Sequence, residues 1–248
     1  LNNIDEPEIL NFLDLVSLGT ICDVVPVIKL NRAIVKQGLK IFRKRKNIGL
    51  KTLYDSSEIK STPNTYHLGY LIGPKINAGG RVGKSSLGAE LLISDNQEKV
   101  DYLSKKLNYY NDQRKKIEFK LIKIAENKIK NINDPIILIQ GKNFHEGIIG
   151  IAASRIKDKF NKPCIIISVK GNIGKGSARS VMGFNIGSII ISAVQNQILL
   201  SGGGHKMAGG FLINIDKIET FNEFLVKKYN NLNIENDNFK NLYLDSLI

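Results

Sequence analysis

The chain has 248 residues, 42% of them hydrophobic and 24% charged, a balance that suits one large folded domain or two modest ones and excludes a disordered chain. No apolar run approaches the roughly 20 residues of a membrane span; the start "LNNIDEPEIL" lacks the basic-then-apolar layout of a signal peptide and opens without methionine, as a fragment or a processed chain would. An excess of 36 Lys and Arg over 23 Asp and Glu, a net charge of +13, points to a polyanionic partner, nucleic acid first, with a lysine-rich genome bias as the plain alternative.

Residues 7–18, "PEILNFLDLVSL", carry apolar side chains at helical spacing behind Pro7 and predict a buried helix. The chain leaves it through "GTICDVVPV", with Asp23 at the exit. Asn31 stands where it would cap a second helix running to about Lys46, whose basic end "RKRK" reads as a solvated face. Residues 66–72 read as helical, "GPKINAGGRVG" (73–83) as a loop, and "SSLGAELLIS" (85–94) as a short helix capped by serine.

From Asn96 to Lys130 neither proline nor glycine interrupts the chain. Val100, Leu103, Leu107, Tyr110, Ile117, Leu121 and Ile124 recur in steps of three and four, which predicts one amphipathic helix of about 50 Å. Arg114 breaks the apolar seam, which favours a helix bridging two domains over a coiled coil, with a boundary at 131–135. Beyond it the pattern changes. "PIILIQG" (135–141) and "PCIIISV" (163–169) are β-branched strands opened by proline, and residues 146–160 between them have a helical period. A helix over 184–197, a strand over 209–215 and a helix over 218–229 complete a mixed α/β second half. The end, "NDNFKNLYLDSLI", breaks off in what reads as the first strand of something further. Cys22 and Cys164 lie far apart in apolar strings, as reduced core thiols of a cytosolic (cytoplasmic) protein do.

Two glycine-rich stretches stand out, "GNIGKGSARS" (171–180) and "LSGGGHKMAGG" (200–210). Glycine gathers where backbone turns sharply or must approach a ligand. If 173–180 is extended, Lys175, Ser177 and Arg179 share one face, and two cations around a hydroxyl suit phosphate oxygens. Ser180 follows directly. "GGGH" would let amides around Gly203 and Gly204 close on the same anion, with His205 and Lys206 as further donors. The bland alternative is a hairpin with solvated cations and a tight turn. "GPKINAGGRVG" is a third stretch of this kind, carrying Lys75, Asn77 and Arg81.

Asp23 is a lone carboxylate among apolar residues, either capping a neighbouring turn or serving as one ligand of a metal site that needs several. His145 followed by Glu146 reads as a helix cap or the border of a cleft. No nucleophile elbow and no clustered zinc ligands occur.

Taken in order, "LDLVSLGTICDVVPV...NR", "GPKINAGGRVG", "FHEGIIGIAASRI", "GKGSARS" and "GGGHKMAGG" resemble the RecJ family, single-strand-specific 5′→3′ DNA exonucleases of the DHH phosphoesterase superfamily. The resemblance spans about Leu13 to Gly210. It implies an α/β fold: the helical end of a DHH catalytic domain over 1–95, a long connecting helix over 96–132, and a mixed α/β DHH-associated substrate-binding domain over 133–230. Residues 231–248 would be the start of a truncated OB-type domain or a tail. Asp23 then matches a carboxylate of the last metal-binding motif, and Arg81 a cleft arginine near substrate phosphates, with Asn77 in the same motif. Ser177, Arg179, Ser180, His205 and Lys206 match the nucleotide-gripping motifs. The Asp-His-His triplet itself is absent.

The resemblance implies two divalent ions, Mn2+ or Mg2+, held together with ligands that this chain lacks. The partners it implies are single-stranded DNA and a separate chain carrying the N-terminal DHH motifs, and no membrane. It also implies that this chain is inactive alone. Two other readings remain open at this point: a non-catalytic single-stranded nucleic-acid-binding module, and a phosphodiesterase of short oligonucleotides or cyclic dinucleotides.

Overall fold

The computed structural model describes residues 8–129, 131 and 133–232. The helix start expected at Pro7 and the strand expected after residue 235 lie outside them. By internal contacts the chain divides into two compact units, residues up to 115 and residues from 116.

The first unit is helical: α1 (Leu13–Cys22), α2 (Lys29–Arg43), α3 (Ile48–Asp55), a π-helical segment (His67–Ile72) running straight into α4 (Gly73–Val82), then α5 (Leu87–Ile93) and the first part of α6 (Gln97–Asn127). Its core is built on Leu50, Leu53, Leu68, Ile72, Leu91 and Leu107, each at most 1% exposed. Full burial of such a side chain stabilises by roughly 1.5–3 kcal/mol.

Several local expectations are corrected here. α1 does not stop near residue 18 but runs to Cys22, leaving Asp23 as its C-cap. Helix packing overrides the glycine in "LGTIC": a Cβ built on Gly38 of α2 would fall 1.8 Å from Ser17 Oγ and 2.1 Å from the Leu13 carbonyl, so the two backbones lie in close contact. Asn31 does not cap α2, which begins at Lys29; its amide donates to the Pro26 carbonyl at 3.0 Å. α3 went unforeseen, although Asn47 caps it by accepting from Leu50 N at 2.9 Å.

"GPKINAGGRVG" is a helix rather than a loop. Pro74 sits in its first turn, where a missing N–H is harmless. Its glycines serve packing: a Cβ on Gly73 would lie 2.4 Å from Cys22 Sγ, and one on Gly79 2.7 Å from the Lys84 carbonyl. Lys75 is buried, not presented to a ligand. It donates to Ser57 Oγ at 2.6 Å and Ser56 Oγ at 3.3 Å, and burial, with Lys115 nearby, pulls its pKa below the usual lysine range.

The second unit contains the rest of α6, then β1 (Ile137–Lys142), α7 (Glu146–Phe160), β2 (Cys164–Lys170), β3 (Ile173–Arg179), α8 (Ile186–Gln195), β4 (Ser201–His205), β5 (Ala208–Asn214) and α9 (Ile218–Asn230). The sheet order is β1-β2-β3-β5-β4, with β1 and β2 parallel across the α7 crossover and the other pairs antiparallel. β2 is buried along all but its last residue because helices cover both faces, and so reads as an unbroken apolar run. On one face Ile165, Ile167, Ala178, Phe211 and Ile213 pack with Ile186, Ile190, Phe221 and Leu225 of α8 and α9. α7 covers part of the other. The burial of Cys164 pushes its thiol pKa up to about 12, so it is an inert core group. No helix among the described residues is long and apolar enough to cross a membrane.

Candidate nucleic-acid interface

Alternation along β3 separates its two faces. Gly174, Gly176 and Ala178 are buried, whereas Lys175 is exposed and Ser177 and Arg179 are half-buried. The inward set is small for a reason: a Cβ on Gly176 would lie 2.1 Å from the ring of Phe211. Lys175, Ser177 and Arg179 therefore share the face that α7 partly covers, as their spacing predicts. A Cβ on Gly150 of α7 would come 2.9 Å from Arg179 Nη2 and 3.0 Å from Ser177 Oγ, so a side chain there would displace these polar groups from their present positions.

Register extends the face across the sheet. Ser177 stands opposite Gly210, and Gly210 opposite Gly203; Arg179 stands opposite Ala208, and Ala208 opposite His205. Paired residues point to the same side. A Cβ on Gly203 would meet nothing within 4 Å, and one on Gly210 only the Gly176 carbonyl at 3.8 Å. The result is a bare glycine floor, edged by Ser177, Arg179 and His205. At its border His145 caps α7 by accepting from Gly147 N at 3.2 Å.

"GGGH" lies in strand β4, and its three glycines do different things. Gly203 belongs to the open floor. Gly204 faces the other way, where a Cβ would lie 2.3 Å from the Ala208 carbonyl, and a Cβ on Gly187 of α8 would sit 2.8 Å from the Gly204 backbone. Gly202 likewise lies against Ile190 and Phe211. Lys206 is exposed in the β4–β5 turn, and its carbonyl accepts from Ile186 N. Ser180 does not reach the face. It is 1% exposed, and its hydroxyl donates to the Phe184 carbonyl, which holds the turn after β3.

The face is not purely cationic. Lys175 Nζ pairs with Glu146 at 2.8 Å, and that contact holds the Glu146 carboxyl below the usual glutamate range. Arg179 Nη1 donates to the Ala178 carbonyl at 2.8 Å and to Ser177 Oγ at 3.2 Å, which fixes its guanidinium beside the floor.

In the first unit Asn77 and Arg81 are exposed one helical turn apart on α4. Asp23 is exposed rather than buried, with its backbone N–H bonded to the Gly19 carbonyl. Among the described residues no group of three or more His, Cys, Asp or Glu could hold a metal ion. One exposed carboxylate does not by itself fit a divalent cation, which takes several oxygen ligands. Sequence reasoning passed over Gly150 and Gly210, whose place beside Ser177 and Arg179 appears only once α7 and β5 are set against β3.

Residues 115–231 match the DHHA1 domain. Over 228 residues the chain is 36% identical to the single-stranded-DNA-specific exonuclease RecJ of Haemophilus influenzae, covering 87% of this chain and 40% of that protein. It is 32% identical to the Escherichia coli RecJ over 237 residues, again 40% of that protein. The crystal structure of Thermus thermophilus RecJ in complex with Mn2+ is similar at a TM-score of 0.83 and 28% identity, over 91% of this chain and 34% of that one. The chain thus spans well under half the length of these relatives.

Proposed function

We propose that this chain, similar to RecJ and matching the DHHA1 domain over residues 115–231, is the phosphate-gripping part of a RecJ-like exonuclease that hydrolyses single-stranded DNA 5′→3′ in repair and recombination. The observation that carries the reading is the row Lys175–Ser177–Arg179 beside a glycine floor at the start of α7. The Arg179 fork and the Ser177 hydroxyl would take phosphate oxygens, while Gly203 and Gly210 let the sugar–phosphate chain lie against the backbone. Holding the strand in this way sets which phosphodiester bond meets the hydrolytic centre. Mn2+ or Mg2+ would supply the activated water there, and Asp23 is the candidate ligand from this chain.

On this proposal the chain releases no nucleotides alone, and a separate chain carrying the N-terminal DHH motifs completes it. The first unit supports this with large apolar residues left bare: Leu10 is 72% exposed, Val24 85%, Ile28 61% and Leu30 70%. On this reading these are the side chains that the partner covers. The isolated chain is expected to bind a hydrophobic dye and to self-associate in light scattering, and a Leu10→Ser, Val24→Ser, Leu30→Ser variant to do neither at unchanged circular dichroism. A monomeric, dye-silent wild type contradicts a partner face. Metal-dependent release of nucleotides by the purified 248-residue chain overturns the inactive-alone reading.

The Lys175–Glu146 pair gives a gentler test of the grip. Glu146→Gln releases Lys175 and removes a competing negative charge. Affinity for a single-stranded oligonucleotide is expected to rise about two- to fivefold at low salt and to converge with wild type as salt screens the face. Unchanged affinity at low salt places Lys175 outside the interface.

A further inference from the structure

We propose that Tyr66 and Tyr70 form a stacking platform for unpaired bases, on a helix face that continues to Asn77 and Arg81. This rests on the single-strand reading above and names the residues of the first unit that would touch bases rather than phosphates.

Residues 65–82 are one helical run with the π segment His67–Ile72 inside it. Tyr66 and Tyr70 are 60% and 75% exposed, and their rings stack at 5.1 Å between centroids with 23° between planes. Side chains four apart on a helical run lie on one face and can meet. The core does not need this pair. The inward ring of the segment is His67, 6% exposed, set edge-on to Tyr54 at 5.5 Å and accepting from Asn64 N at 3.1 Å. Tyr66 touches the His67 ring edge-on at 5.9 Å, but most of both tyrosine rings faces outward, and π segments recur at functional sites.

Further along, the exposed positions on the run are Asn77, Gly80 and Arg81. Tyr66, Tyr70, Asn77 and Arg81 are exposed while Leu68, Ile72, Ala78 and Gly79 are buried, so the four lie on the outward side of the run. At about 1.5 Å per residue, the eleven residues from Tyr70 to Arg81 cover roughly 16 Å, a span of a few nucleotides. Stacked aromatics, an amide and a guanidinium match base, base edge and phosphate, and the net charge of +13 complements a polyanion.

The test titrates the 248-residue chain with two 5′-phosphorylated oligonucleotides of equal length and charge, one carrying bases and one abasic, at fixed salt. Tyr66→Ala/Tyr70→Ala is expected to bind the base-carrying strand about tenfold more weakly and the abasic strand as wild type does. Tyr70→Phe, which keeps the ring, is expected to bind both normally. Arg179→Ala should weaken both strands alike. If the double variant matches wild type on both strands while Arg179→Ala loses both, the platform is overturned and the phosphate grip stands. Equal loss on both strands in the double variant, or loss in Tyr70→Phe, overturns the platform too. Wild type binding neither strand overturns both readings.

Discussion

Arg179→Ala should reduce the affinity of the chain for 5′-phosphorylated single-stranded DNA about 30- to 100-fold, the equivalent of roughly 2–3 kcal/mol for a charge-assisted, two-pronged phosphate contact. Its guanidinium is already placed, bonded to the Ala178 carbonyl and Ser177 Oγ and standing beside Gly150, so little ordering is required when a phosphate arrives. Lysine should not rescue the site, because a point charge on a flexible stem lacks the planar fork. Lys175→Ala should have a smaller effect, since Lys175 is shared with Glu146. The slope of log affinity against log salt should fall by about one unit in Arg179→Ala. Anisotropy titrations at several salt concentrations read both quantities, and affinity within threefold of wild type would remove β3 from the interface.

The adjacent glycines of β4 should respond in opposite ways. Gly203→Val places its new atoms in open space above the floor, since a Cβ there has no neighbour within 4 Å. Valine suits a strand. Melting should therefore stay near that of wild type, while binding falls more than tenfold because the floor is filled. Gly204→Val puts a Cβ 2.3 Å from the Ala208 carbonyl and 2.5 Å from Gly209 Cα, where the hairpin backbone cannot yield cheaply. That should cost about 2–3 kcal/mol of stability by overpacking. Thermal melts beside anisotropy titrations separate the two effects. A destabilised Gly203→Val with a normally stable Gly204→Val would mean that the two faces of β4 are assigned the wrong way round.

Much of the second unit was legible in advance, because its elements advertise their periods. The β-branched runs of β1 and β2, the helical spacing of α7 and the alternation of β3 each follow from local patterning, and odd-numbered residues of β3 do share one face. The errors cluster at glycine. "GPKINAGGRVG" and "GGGH" both look like loops to a reader who treats glycine as punctuation. In the folded chain most of these glycines answer tertiary demands: Gly73 beside Cys22, Gly79 beside Lys84, and Gly204 beside Ala208 and Gly187. Which glycine meets a neighbouring backbone and which faces open space depends on strand register and helix placement, and no window of sequence contains either. The exposure of Asp23 and the burial of Ser180 were hidden for the same reason, since both depend on where a helix or turn ends in three dimensions. The stacked tyrosines escaped notice because a π segment leaves no periodic signature that an α-helical reading recognises.

The most direct test of the grip on a single strand follows backbone amide resonances of the isotopically labelled 248-residue chain as 5′-phosphorylated single-stranded DNA is added. Shifts should gather at Ser177, Arg179, Gly203 and Gly210 and in the first turn of α7, all bordering one sheet face. If those amides stay still while shifts gather under α8 and α9 on the opposite face, the phosphate grip is contradicted.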